Sequence, residues 1–296
     1  MLAVGMVGLM AFGALMAFVP VASAAVHVTV NPDRTRDTVM RSSSVEFTVT
    51  VTWTYDEADL QRIGGTISNS EVKVTPVSTK DWAIPIASPA TQTVPGDKNT
   101  ASFKLLVNAK EMPPAHDLAE ITIPVHVKTT GAGTLEGDGS EKVMVEAAYF
   151  ANVQTSFPSS IVQATPGTPQ KVSVNIKNTG NGRSNVFLTL SAPPSGWSVS
   201  LSETKFEIGS AALGLKDTYT VYINILTPEK FGYKNELSTI TITAKMESTD
   251  KARDPDTMTV TSQLTVKLKG FSIPGFDAVI MLGAIGTVAL LMKKKK

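Results

Sequence analysis

Apolar and polar residues alternate with period two over most of the chain between residues 26 and 268. In an extended backbone that rhythm sends one set of side chains inward and the other to water. Val45, Phe47, Val49, Val51, Trp53 and Tyr55 share one face, and Glu46, Thr48, Thr50, Thr52 and Thr54 share the other. The same pattern predicts strands over 26–30, 72–74, 103–107, 121–127 and 143–149. Turn material separates them at Gly64-Gly65, Pro95-Gly96-Asp97, Pro113-Pro114 and a loop over 131–139. Ser156, Pro158, Ser159 and Ser160 then interrupt the rhythm, and a second set of strands follows over 172–176, 186–190, 219–225, 240–244 and 258–268. Only 56–63 and 109–112 suit a helical turn. Many short alternating strands at regular spacing predict an all-β chain of two tandem antiparallel β-sandwiches, over residues 25–151 and 152–270.

The two ends break the alternation. Residues 2–19 form an apolar run, Pro20 ends it, and Ala22-Ser23-Ala24 offers the small residues a signal peptidase needs, with cleavage before Ala25. No Lys or Arg precedes Arg34, so the usual basic start is missing and an uncleaved N-terminal anchor stays open as the alternative. At the far end, residues 278–292 are apolar and would extend about 22 Å as a helix, against a hydrocarbon core of ~30 Å. Phe276 and snorkelling lysine stems make up the difference, so a transmembrane helix is expected over 277–292. Lys293, Lys294, Lys295 and Lys296 then belong on the cytoplasmic side, because carrying four lysines across a bilayer is costly. The expectation is a single-pass protein of the cell membrane whose body faces outward.

Composition narrows the chemistry. The chain has no cysteine, which excludes disulfides, thiolate metal sites and cysteine nucleophiles. The four terminal lysines are part of 27 basic residues and Asp277 is one of 26 acidic ones, which leaves 23 against 25 and a body charge near −2. A nearly neutral body argues against nucleic acid as a partner and offers no basic stripe for anionic lipid. His27, His116 and His126 lack paired metal-ligand spacing and read as structural. No nucleophile elbow, P-loop or dinucleotide fingerprint is present, so no catalytic residue, metal ligand or cofactor is assigned and an enzyme is not expected. Three acidic loops offer oxygen ligands for calcium: Asp56, Glu57 and Asp59; Glu136 and Asp138; and Asp250, Asp254 and Asp256. None follows the spaced EF-hand pattern, and they read as solvated turn charges.

Pro166-Gly167, the strand over 171–177, Asn178-Thr179-Gly180-Asn181, the strand over 186–190 and Gly196-Trp197 follow one another in an order that resembles a widespread Ig-like family. That family is the alpha-galactosidase-associated module with its CARDB-like relatives, and the resemblance covers about 115 residues. It implies an Ig-like accessory or spacer module without catalytic residues for the second sandwich; the first gives only a generic Ig-like impression, and its family is unassigned. Residues 178–182 supply the Asn and Gly that a tight turn with positive φ demands, and Trp197 reads as a core filler rather than a sugar platform.

Pro274, Gly275 and Phe276, followed by the apolar run and the terminal lysines, resemble the archaeal PGF-type sorting signal. The resemblance implies an archaeosortase as partner, removal of the helix and its replacement by lipid. The chain departs from that family in having no Asn-X-Ser/Thr sequon and no Thr-rich stalk. The expected function is a non-enzymatic, membrane-anchored structural, spacer or adhesion component of an archaeal envelope, with envelope proteins or polysaccharide as partners. The alternative is a carbohydrate- or peptide-binding accessory of a surface hydrolase or transporter, which needs exposed aromatics such as Trp82 or Tyr233.

Overall fold

The computed structural model describes residues 26–110, 113–229 and 232–272. The first part of the chain forms β1 (Val26–Pro32), β2 (Arg36–Val39), β3 (Ser44–Tyr55), a short helix α1 (Glu57–Arg62), β4 (Asn69–Val74), β5 (Val77–Ser78), β6 (Ala83–Ser88), β7 (Thr91–Pro95), β8 (Thr100–Ala109), β9 (Leu118–Thr130) and β10 (Thr134–Ala147). The second part forms β11 (Val153–Ser156), β12 (Ile161–Ala164), β13 (Gln170–Asn178), β14 (Ser184–Leu190), β15 (Ser198–Leu201), β16 (Lys205–Ile208), β17 (Thr218–Leu226), β18 (Gly232–Ser248) and β19 (Thr257–Ser272). The all-β expectation holds, and the one α-helix among the described residues lies in a segment that suited a helical turn.

One topology is used twice. Sheets run β1-β3-β8-β6 and β2-β10-β9-β4-β7 in the first part, and β11-β13-β17-β15 and β12-β19-β18-β14-β16 in the second. In both, the opening strand splits: its first piece pairs antiparallel in one sheet, and its second piece pairs parallel with the last strand in the other. These orders are the A-B-E-D and A′-G-F-C arrangement of an immunoglobulin-type sandwich. In both halves the chain also departs from that arrangement in the same way: after the C strand it visits the edge beside E before it returns to the edge beside C.

Period-two alternation made these sheets, and burial follows it. Along β3 the pattern alternates residue by residue, with Phe47, Val49, Val51 and Trp53 essentially inaccessible. Buried side chains form two separate clusters, one ending at Ala147 and the other starting at Tyr149. Trp197 belongs to the second cluster, at the tight turn where Gly196 takes a φ of 82°.

Two details of the sequence reading are corrected. The loop expected over 131–139 is only Gly131–Gly133 long, because Gly137 and Gly139 lie inside β10. The backbone of β1 passes so close that a Cβ at Gly137 would sit 2.0 Å from the Val26 carbonyl oxygen. Those glycines serve close approach rather than a turn. The strand expected to reach Tyr149 stops at Ala147, and Tyr149 turns into the second cluster instead. Ala22, Ala24, Ala25, Pro274, Gly275, Phe276 and Lys293, Lys294, Lys295 and Lys296 lie outside the described residues, as do both terminal apolar segments. Among the described residues no helix is long and apolar enough to cross a membrane.

Candidate functional site at the junction of the sandwiches

Polar groups with buried partners concentrate where the two clusters meet. Four segments converge there: the β8–β9 loop with Pro113, Ala115 and His116; the end of β10 with Glu146; the β13–β14 turn; and the β18–β19 loop with Arg253 and Asp254. The turn over 178–182 was expected to need positive φ, and none of its residues has it. Its glycines answer a different need. A Cβ at Gly180 would lie 2.3 Å from the Phe150 carbonyl oxygen, and one at Gly182 would lie 2.7 Å from the Tyr149 ring.

Asn181 is 2% exposed and bridges the sandwiches. Its amide group donates to the carbonyls of Pro113 at 3.0 Å and Ala148 at 2.8 Å, while its side-chain oxygen accepts from the Phe150 N–H at 2.7 Å. Its own carbonyl accepts from the Ala115 N–H at 3.0 Å. Asn178 does the same work within the turn, donating to the carbonyls of Gly182 and Gly209 at 2.9 Å and accepting from the Gly180 N–H at 2.8 Å. Every polar atom of these two buried amides is therefore used, which is the condition under which burying them is tolerated.

The ionic half of the junction centres on Glu146. Its carboxylate is bonded by the guanidinium groups of Arg36 and Arg253 and by His116 Nδ1, the last at 3.0 Å. On the other side of the imidazole, Nε2 lies 2.9 Å from Asp254 Oδ2, which also accepts from the Ser248 hydroxyl at 3.0 Å. Carboxylate oxygens only accept, so both histidine contacts are hydrogen bonds when both ring nitrogens carry protons. Burial pushes the Glu146 carboxyl upward, but its bonds to Arg36, His116 and Arg253 outweigh that and hold it below its ordinary value. His116 itself has a φ of 64°, a left-handed conformation that histidine visits more readily than most residues and that the surrounding bonds hold in place. Next to this cluster the Tyr149 hydroxyl, pushed up by burial, meets the Ser184 hydroxyl at 2.9 Å.

Other residues singled out in the sequence lie elsewhere. His27 faces Asp56 at 3.4 Å and His126 faces Asp138 at 2.8 Å, both at the surface. The acidic loops are not uniformly solvated. Asp59 and Asp254 are each 8% exposed, and Asp256 accepts from the Ala151 N–H at 2.9 Å. Among the described residues no three His, Cys, Asp or Glu side chains gather to hold a metal; the His116 ring separates its two carboxylates instead of joining them around an ion. Trp82 is not an exposed platform: it is 9% exposed, and its indole N–H donates to Asp117 at 2.8 Å. Burial pushes the Asp117 carboxyl up, and its bonds to Lys80 and Trp82 bring it below its usual range. Tyr233 is exposed, at the far end of β18.

Glu146 was missed in the sequence because it stands at an outward register position of β10, between Val145 and Ala147, where a charge reads as solvated. Asn181 was seen but read as turn chemistry. No signal in the sequence shows that each is covered by the neighbouring sandwich.

No family model matches the chain, and no curated protein matches it. Solved structures to which it is similar include protocadherin gamma C5 EC1-3 (12% identity, TM-score 0.39, covering 81% of this chain and 68% of that one). Protocadherin gammaB7 EC3-6 is similar at 12% identity and TM-score 0.37, covering 80% and 46%. The S-layer protein SbsC domains 4 and 5 are similar at 14% identity and TM-score 0.27, covering 74% and 83%. At these scores the likeness carries no argument, and the fold assignment rests on the strand orders above.

Proposed function

We propose that the chain is a non-enzymatic cell-surface protein whose two sandwiches form a stiff spacer that presents interaction surfaces away from a membrane. The observation that carries this reading is the junction: Asn181 of the second sandwich bonds Pro113 and Ala148, and Glu146 of the first bonds Arg253 of the second as well as His116, so bending there breaks buried hydrogen bonds. A hinge would instead join its modules by an exposed, weakly bonded linker. The export and anchoring part of the proposal rests on the two terminal apolar segments and on Pro274, Gly275 and Phe276. The sorting-signal reading, with an archaeosortase and a final lipid anchor, belongs to the same proposal.

The natural chain has no cysteine, so single cysteines introduced at exposed positions report without background. One at Lys98 should react with a membrane-impermeant maleimide on intact cells. Spin labels at Lys98 and Lys251, one on each sandwich, should give a single narrow distance distribution. A label that reacts only after lysis defeats the surface reading, and a broad distribution defeats the stiff one.

One observation favours the alternative, a binding accessory. A cavity of about 880 Å³ opens at the junction, lined by Met40, Arg41, Tyr149, Phe150 and Pro255 among others. The Arg41 guanidinium lies 5.1 Å from the centre of the Phe150 ring. The lining also includes Asp256, and an apolar floor with one cation and one carboxylate suits a peptide carrying both charges better than a neutral sugar. Retention of neutral glycans on an array would reverse that preference.

A further inference from the structure

The hairpin of β18 and β19 outlasts its sheet. β14 pairs with β18 from Ile242 to Ser248, and β12 pairs with β19 from Thr265 to Leu268. Residues 232–235 and 269–272 pair only with each other, so the sheet ends in a two-stranded ribbon. Directly opposed residues of an antiparallel pair share a face. The inward face enters the core through Ile240, Leu264, Val266 and Leu268. The outward face therefore carries Tyr233, Asn235 opposite Lys269, and Leu237 opposite Lys267.

This outward face has an unusual make-up for a soluble edge. Tyr233 is 60% exposed and Leu237 69% exposed, the latter a leucine that no other described residue covers. Lys267 and Lys269 flank them and make no ion pair among the described residues. Among the described residues no acid stands on this end of the outward face; Glu236 lies on the other face and bonds Lys234 at 3.3 Å. An aromatic, an exposed aliphatic and unpaired lysines on one surface fit a bilayer's headgroup region, where the ring and leucine reach the acyl boundary and the ammonium groups meet phosphates.

The chain also limits where the ribbon sits. Five residues, 273–277, separate Ser272 from the apolar run that starts at Ala278, a leash of about 20 Å at full extension. We infer that the outward face of the β18–β19 ribbon lies on the anionic headgroups of the membrane that holds the apolar run, so that the second sandwich is fixed against the bilayer rather than swinging from it. This inference rests on the tethered reading above.

The test uses the full chain with Leu237→Cys carrying an environment-sensitive fluorophore, reconstituted into vesicles of phosphatidylcholine with 30% phosphatidylglycerol, and a separate Lys98→Cys control. The 237 label should emit to the blue and resist aqueous iodide at least threefold better than the control label. The Lys267→Glu, Lys269→Glu double variant should remove most of that protection, as should vesicles of phosphatidylcholine alone. Protein that floats with the vesicles while its 237 label is quenched like the control overturns the docking and leaves the tether standing. Protein that does not float overturns the tether and the docking with it.

Discussion

The two sandwiches share a strand order and differ most where the B and C strands connect. In the first, β3 reaches β4 through thirteen residues, 56–68, that include α1 and are mostly exposed. In the second, β13 reaches β14 through five residues, 179–183, three of which are buried. The connection between the last two strands is reversed in proportion. It is three residues long between β9 and β10, and eight between β18 and β19, where it supplies Arg253 and Asp254 to the junction. One end of an Ig-type sandwich can thus be spent on gripping a neighbour or left free for other uses. Among the described residues, the second sandwich spends it on the first, and the first does not return the grip with the same end.

The sharpest way to break that difference is Asn181→Ala. It leaves the Phe150 N–H and the Pro113 and Ala148 carbonyls without their buried partner, and each orphan costs roughly 1–3 kcal/mol if water cannot replace it. Because partial hydration relieves some of this, we expect a loss of about 3–4 kcal/mol in a denaturant titration. The spin-label distances between the sandwiches should broaden at the same time. A narrow distribution at unchanged midpoint would show that the turn does not hold the junction.

The ionic half should respond less, and to pH. Glu146→Gln keeps the shape but removes the charge that Arg36, His116 and Arg253 share, for about 1–2 kcal/mol near neutrality, since both arginines are half exposed and can return to water. The sign of the pH effect follows from the carboxyl's folded value lying below its ordinary 4.5. Its contribution is complete above that ordinary value and is lost as pH falls through the lower folded one. Titrated from pH 6 to pH 3, the natural protein should lose stability more steeply than the Glu146→Gln variant. Parallel curves would remove Glu146 from the account.

How much of this was legible in the sequence follows from what each residue depends on. Alternation depends on one sheet having an inside, so the central strands around Phe47, Ile123, Ile223 and Ile242 could be read directly. Short edge strands such as β2, β5, β12 and β16 bury few residues each and left too little pattern to see. The junction was hidden for another reason. Glu146 and Asp254 are polar at positions where one isolated sandwich would expose them, and their burial comes from a neighbour about a hundred residues away in the chain. Gly180 and Gly182 were read as turn positions needing positive φ, which neither has; what they provide is room for close packing against Phe150 and Tyr149, a cause that local sequence does not display.

The smallest expected effect tests the free end of the first sandwich. Glu57 opens α1, is exposed, and stands in the connection that matches the buried turn of the second sandwich. Its carboxylate gains only from the N-terminal dipole of a six-residue helix, which is screened by solvent at this position. Glu57→Ala should therefore change stability by less than about 0.5 kcal/mol and leave the distance between the sandwiches unchanged. The contrast with Asn181→Ala, at the same connection of the same fold, then measures what coverage by a neighbour is worth. A loss from Glu57→Ala comparable to that of Asn181→Ala would mean that the exposed connection also has a partner, most simply a second copy of the chain, and sedimentation at rising concentration would reveal it.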